Sequence, residues 1–167
     1  GDQHMYGSWL SFDADLAYAM GERDQSCRLS TEALAIARGV HCLSCESHAL
    51  GSLAINGPVD EEGGQTGALR RAVRLVASIG EVLGVISSVR VLAATAAEDD
   101  AQLAARLFGG SEALRERTGI MFLLPGREAY SAPLLADARV RIGHEAWDEL
   151  VAEGRRLPYA ELVALAS

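Results

Sequence analysis

Between residues 6 and 118 apolar side chains recur three and four positions apart, and sustained alternation at every second position is almost absent. A period near 3.6 lines such residues along one face of an α-helix, whereas a half-buried strand needs a period of two. The pattern predicts helices over about 7–20, 24–38, 41–56, 65–79, 82–97, 99–117, 127–142, 144–154 and 158–166, with Gly21, Gly39, Gly57, Gly80 and Gly109-Gly110 as punctuation. Asp24 is placed to cap the second helix, and Asp99 and Asp100 fall in the first turn of the sixth. The stretch 57-GPVDEEGG-64 reads as loop, and Pro133 is placed to kink the helix over 127–142.

The pattern also repeats. A shift of 39 positions brings Leu29, Ala68 and Leu107 into register, then Ala33, Ala72 and Ser111, then Ile36, Leu75 and Leu114. These residues form one stripe of a helix, three times over, with a small residue where two helices would cross closely. The preceding helices repeat as well, through Ala14, Leu53 and Leu92 and through Leu16, Ile55 and Ala94. Each unit is then a helix hairpin that cannot bury its apolar stripe alone, and stacked hairpins bury one another's. The expected fold is all-α, a solenoid of about three hairpins over 6–118 with period 39. Residues 119–167 do not fit the repeat and are expected to cap it. Residues 1–5 read as a cloning remnant and stay outside the fold argument.

Composition agrees with helices. The chain of 167 residues is rich in alanine and only 5% aromatic, a mixture that favours close-packed helices over sheets. All 15 basic residues are arginine, which fits a GC-rich coding sequence better than a nucleic-acid device, and the net charge of −8 repels phosphate. Direct binding to nucleic acid is therefore not expected. No apolar run approaches the roughly 20 residues that span a bilayer, and no charged-then-apolar leader opens the chain, so a cytoplasmic location is expected. Three cysteines, an odd number in a chain large enough to fold without crosslinks, predict reduced thiols.

Glycines after the first helices (Gly21, Gly57) and small residues in the second (Ala33, Ala72) resemble a divergent tetratricopeptide repeat of unusual length. More specifically, 103-LAARLFGGSEALRERTG-119 followed by 154-GRRLPYAELVALAS-167 resembles the C-terminal helical region of actinobacterial regulators that join a STAND-type ATPase to such repeats and often to a LuxR-type DNA-binding domain. The resemblance covers nearly the whole chain from about residue 6. It implies a sensor or scaffold region, which receives a ligand or protein partner and restrains the ATPase. With no lysine, the chain holds no Gly-Lys-Ser or Gly-Lys-Thr phosphate loop, and it stops at Ser167, about where a helix-turn-helix would begin in those relatives. Neither ATP hydrolysis nor DNA binding is expected of it, and no cofactor.

One stretch invites a chemical reading of its own. In 41-HCLSCESHAL-50, His41, Cys45 and His48 stand at i, i+4 and i+7, so a single helical face could offer a zinc ion two imidazoles and a thiolate. A fourth ligand would have to come from elsewhere, and no second CxxC or HxxxH exists. Cys42-x-x-Cys45 is alternatively a redox pair if Cys42 lies at a helix N-terminus, although the βαβ setting that usually gives the motif that meaning is missing. The plainer reading is a repeat helix with its cysteines in the core and its histidines near a groove. Glu61-Glu62 and Asp99-Asp100 read as solubilising and capping residues without the burial that acid–base catalysis needs.

The favoured expectation is thus a non-catalytic protein-interaction or ligand-sensing module of a cytoplasmic regulator. Its concave face is expected to be lined by first-helix positions Trp9, Asp13, His48, Ser52, Ser87 and Val91, where a peptide, another domain of the same regulator or a small effector would sit. The alternatives are a metal or redox protein centred on 41–48 and a structural dimerisation element. For the second alternative the stripe Trp147, Leu150 and Val151 would be exposed instead of packed in the cap.

Overall fold

The computed structural model describes every residue except Gly1, Pro58, Phe122 and Leu123, and the side chain of His4 is likewise outside the described set. The described residues form nine helices and no strand: α1 (Gln3–Ala19), α2 (Arg23–Gly39), α3 (Leu43–Asn56), α4 (Gly64–Ser78), α5 (Val82–Ala96), α6 (Ala101–Thr118), α7 (Pro125–Ile142), α8 (His144–Arg155) and α9 (Tyr159–Ala166). The all-α expectation holds, with each predicted helix present. No described helix is long and apolar enough to cross a membrane.

From α1 to α6 each helix packs on the next in sequence. Four of these helices end in the same turn, α1 at Gly21 (φ 83°), with the Glu22 N–H on the Ala17 carbonyl, and three others at positions related by the shift of 39. The residues after α2, α4 and α6 have left-handed backbones at His41 (φ 54°), Gly80 (φ 70°) and Gly119 (φ 68°). In each case the next residue's N–H reaches back five positions, from Cys42 to the Ala37 carbonyl, from Glu81 to Val76 and from Ile120 to Arg115. That pairing satisfies carbonyls a helix end would leave open, and it normally calls for glycine because a Cβ crowds the left-handed backbone. His41, Gly80 and Gly119 are related by the shift of 39. His41 is the non-glycine exception among the described residues.

This turn corrects one boundary. The helix expected from residue 41 begins at Leu43, because His41 is spent on the turn and Cys42 on the cap. Two caps also differ from expectation. Asp24 lies in the first turn of α2 and does not cap it, while Asp100 is a true cap whose carboxylate accepts the Leu103 N–H. Pro133 lies inside α7, which starts two residues earlier than expected, at Pro125.

The core follows the repeat stripe. Ala33, Ala72 and Ser111 are all fully buried, as are Ala68 and Leu107. Leu69, Val73, Val85, Ile86, Val89 and Leu92, none more than 1% exposed, pack in one cluster with Leu107, while Ala33 packs with Leu10 and Ala49, and Ala68 and Ala72 with Leu50. On α1 the pattern breaks: Leu16 is 52% exposed although its counterparts Ile55 and Ala94 are buried. It belongs to an apolar face with Met5, Trp9, Phe12 and Met20, spaced i, i+4, i+7, i+11 and i+15 and all exposed.

The segment after 118 takes two positions. Helix α8 packs on α6 through glycines from both. A Cβ on Gly109 would stand 2.2 Å from the Val151 carbonyl oxygen, and one on Gly154 would stand 2.0 Å from that of Arg106. Gly109 and Gly110 therefore do not interrupt the helix. They let a second helix approach to backbone contact. Trp147 is buried by this packing, so the exposed stripe that a dimer through Trp147, Leu150 and Val151 would need is not formed. Helix α7 takes the second position, running across α1, α3 and α5 where the sequence suggested an open groove.

Candidate functional site

The site lies where α7 crosses the three first helices, and one arginine organises it. Arg127, in the first turn of α7, is 4% exposed. Its Nη1 donates to Ser87 Oγ at 2.9 Å and its Nη2 to the His48 carbonyl at 2.7 Å, while Nε stands 3.5 Å from Asp15 Oδ2. The guanidinium lies flat over Gly51, where any Cβ would come within 2.8 Å of three of its atoms. Gly126 permits the approach from the other side, since a Cβ there would stand 2.2 Å from the Asp15 carbonyl oxygen.

Asp15 is the negative centre. It is 1% exposed and accepts hydrogen bonds from Ser52 Oγ at 3.1 Å and from His48 Nε2 at 3.0 Å. An ionised carboxylate only accepts, so the proton of a neutral His48 must sit on Nε2. Burial pushes the Asp15 carboxyl upward, but Arg127, His48 and Ser52 together outweigh it and hold the carboxyl below its usual range. Burial foremost, and then the charge of Arg127, push His48 below the usual histidine range against the opposing pull of Asp15. At neutral pH the cluster is therefore an ionised Asp15, a charged Arg127 and a neutral His48. Burial also lowers Arg127, an effect opposed by Asp15 and Glu81, yet a guanidinium starts so high that it keeps its charge.

Beside this cluster lies a cavity of about 210 Å³ with mainly apolar walls. Phe12, Leu83, Val76 and Leu124 supply apolar surface, and Cys45, His48, Glu81, Ser87 and Arg127 supply polar atoms. Phe12 meets the His48 ring edge-on at 4.9 Å. Glu81 Oε2 is buried and has no hydrogen-bond partner among the described residues. Glu81 is thus a cavity-wall carboxylate that acts on Arg127 and His48 through its charge while its Oε2 makes no hydrogen bond among the described residues.

Of the residues expected to line a groove, His48, Ser52 and Ser87 meet in this cluster. Trp9 and Asp13 are exposed on α1, and Val91 is fully buried in the core. Asp15, Gly51, Glu81 and Arg127 were not singled out in the sequence. For Asp15 a signal existed, because the shift of 39 aligns it with Ala54 and Ala93, both buried, and a carboxylate at an alanine position demands a partner.

The metal-ligand face at 41–48 is not formed. His41 precedes the helix, His48 Nε2 is bonded to Asp15, and Cys45 is joined to Cys42 by a disulfide. No group of three or more His, Cys, Asp or Glu able to hold a metal ion occurs among the described residues. The disulfide also corrects the expectation of reduced thiols at these two positions; Cys27, exposed, is free. Glu46, four residues after Cys42, has a structural role. Its Oε1 accepts from Arg38 Nε at 3.1 Å and from Arg71 at 2.8 and 3.1 Å, and Arg38 also pairs with Glu61, tying α2 and α4 to α3.

The chain matches no protein-family model, no curated protein and no solved structure.

Proposed function

We propose that the chain is a non-catalytic, tetratricopeptide-like sensing module of a signalling regulator, and that a small effector enters the cavity between α1, α3, α5 and α7. The observation that carries this reading is the shared wall: Ser87, His48 and Arg127 border the cavity and also seat α7 on the first helices. An occupant that touches these groups changes the seating of α7, and such differential contact is what a sensor needs. The cluster is arranged for binding. Its polar groups are used to seat α7: His48 Nε2 bonds to Asp15, and Arg127 bonds to Ser87 and the His48 carbonyl.

The recurrence of one helix-ending turn at 41, 80 and 119, with hairpins packed in succession, supports the repeat architecture. The exposed apolar face of α1 supports a protein partner, proposed here as another helical domain of the same regulator, because contiguous patches of this kind mark contact surfaces. Apolar walls with one carboxylate oxygen that accepts no hydrogen bond among the described residues favour an effector with an apolar body and an amine donor.

A thermal-shift comparison of benzylamine, benzyl alcohol and benzoate tests this. The amine should stabilise most, Glu81→Gln should remove its advantage, and Leu83→Trp, which fills the cavity, should abolish all three responses. Equal responses to the three probes, or responses that survive Leu83→Trp, would reject the reading.

A further inference from the structure

The Cys42–Cys45 pair plays no part in the Asp15–His48–Arg127 cluster, and its placement is unlike that of a structural staple. The bridge joins residues three apart in the first turn of α3, where the Glu46 N–H already bonds to the Cys42 carbonyl at 2.8 Å. Crosslinks restrain the unfolded chain less as the closed loop shortens, so this one adds little to the fold. Nor does the repeat need sulfur here. The shift of 39 places Glu81 and Gly84 at the counterpart positions.

We propose that Cys42 and Cys45 form a thiol–disulfide exchange site for a small-molecule thiol, attacked at Cys45 from the cavity. Cys45 lines the cavity and Cys42 is absent from its walls, although both are buried. Approach therefore selects one sulfur. Cys42 is the N-cap of a 14-residue helix, and its Sγ accepts the Cys45 N–H at 3.1 Å. A helix N-terminus stabilises a thiolate, and a stabilised thiolate leaves faster.

The step balances without further reactants. An incoming thiolate bonds to Cys45 Sγ, the Cys42–Cys45 bond breaks, and its electron pair passes to Cys42 Sγ. A second molecule of the thiol attacks the mixed disulfide at the small-molecule sulfur, releasing the oxidised small disulfide and Cys45. The two thiols' protons end on Cys42 and Cys45. In reverse, a small disulfide reoxidises the pair. Ser8 Oγ, 3.4 Å from Cys45 Sγ, lies beside the attacked atom. The cavity serves here only as a route, so the inference stands whether or not an amine binds there.

The test uses Cys27→Ser protein, oxidised with glutathione disulfide and then treated with 2-mercaptoethanol under native conditions. Reaction is quenched at intervals with acid, free thiols are alkylated, and fragment masses locate each label. The expected intermediate carries mercaptoethanol on Cys45 and the alkyl group on Cys42, in at least tenfold excess over the opposite pattern. Leu83→Trp should slow reduction at least fivefold, with circular dichroism and melting showing that it folds. An adduct on Cys42, an even distribution, a bridge that forms or opens only in denaturant, or a rate indifferent to Leu83→Trp would each overturn the proposal.

Discussion

At the scale of single residues the site illustrates how burial converts ordinary side chains into dependent ones. Arg127 and Asp15 offset each other's charge in the interior, with His48 and Ser52 also bonded to the carboxylate, since an unpaired buried charge is far costlier than a paired one. Arg127→Met should cost about 3–5 kcal/mol in urea unfolding, the range for removing one partner of a buried pair. The double variant Arg127→Met, Asp15→Asn should recover part of the loss.

His48 supplies a pH signature. Its folded value is depressed, so as pH falls through about 6.5 the unfolded chain takes up a proton before the folded one does. The unfolded state binds more protons in that window, and stability is lost as pH drops towards the folded value. Asp15, also depressed, adds a second loss below about pH 3.9. Urea midpoints should fall between pH 7.5 and 5 more steeply for the wild type than for His48→Gln. His41 makes the opposite prediction. Replacing it with glycine relieves a left-handed Cβ and should stabilise the fold by up to about 1 kcal/mol, seen as a rise in Tm.

Helices and their crossings carry the next level. The α6–α8 contact depends on Gly109 and Gly154, and the nearest atoms are backbone oxygens that cannot rotate aside. Gly154→Ala should therefore cost about 1–3 kcal/mol, as overpacking does, and more if the helices cannot separate. Differential scanning calorimetry checks it, with Gly39→Ala as the comparison, because a Cβ at Gly39 meets nothing within 4 Å. The stretches 103–119 and 154–167 meet where Gly154 faces the Arg106 carbonyl and Gly110 packs against Leu162. The legibility of the elements was high for a local reason. A helix is read from side chains three and four apart, which face one way before any tertiary contact forms. The failures were local too. Residues 41 and 42 carry the periodicity but are taken by a turn and a cap, and Asp24 lost the capping position when α2 began at Arg23.

For the whole molecule, the buried small-residue stripe at 33, 72 and 111 could be taken from the chain by a shift of 39, because close helix crossings call for small residues. The sequence by itself determined the helices and the buried stripe at 33, 72 and 111, both consequences of spacing along the chain. Only the tertiary structure decided that α7 crosses α1, α3 and α5 in place of leaving them open, and that Arg127 meets Asp15, Ser87 and the His48 carbonyl there. Those partners lie between 40 and 112 positions away in sequence, and no local rule sets where a helix outside the repeat will lie. Its seat was fixed by two glycines that allow close approach and by a buried charge that needed its opposite.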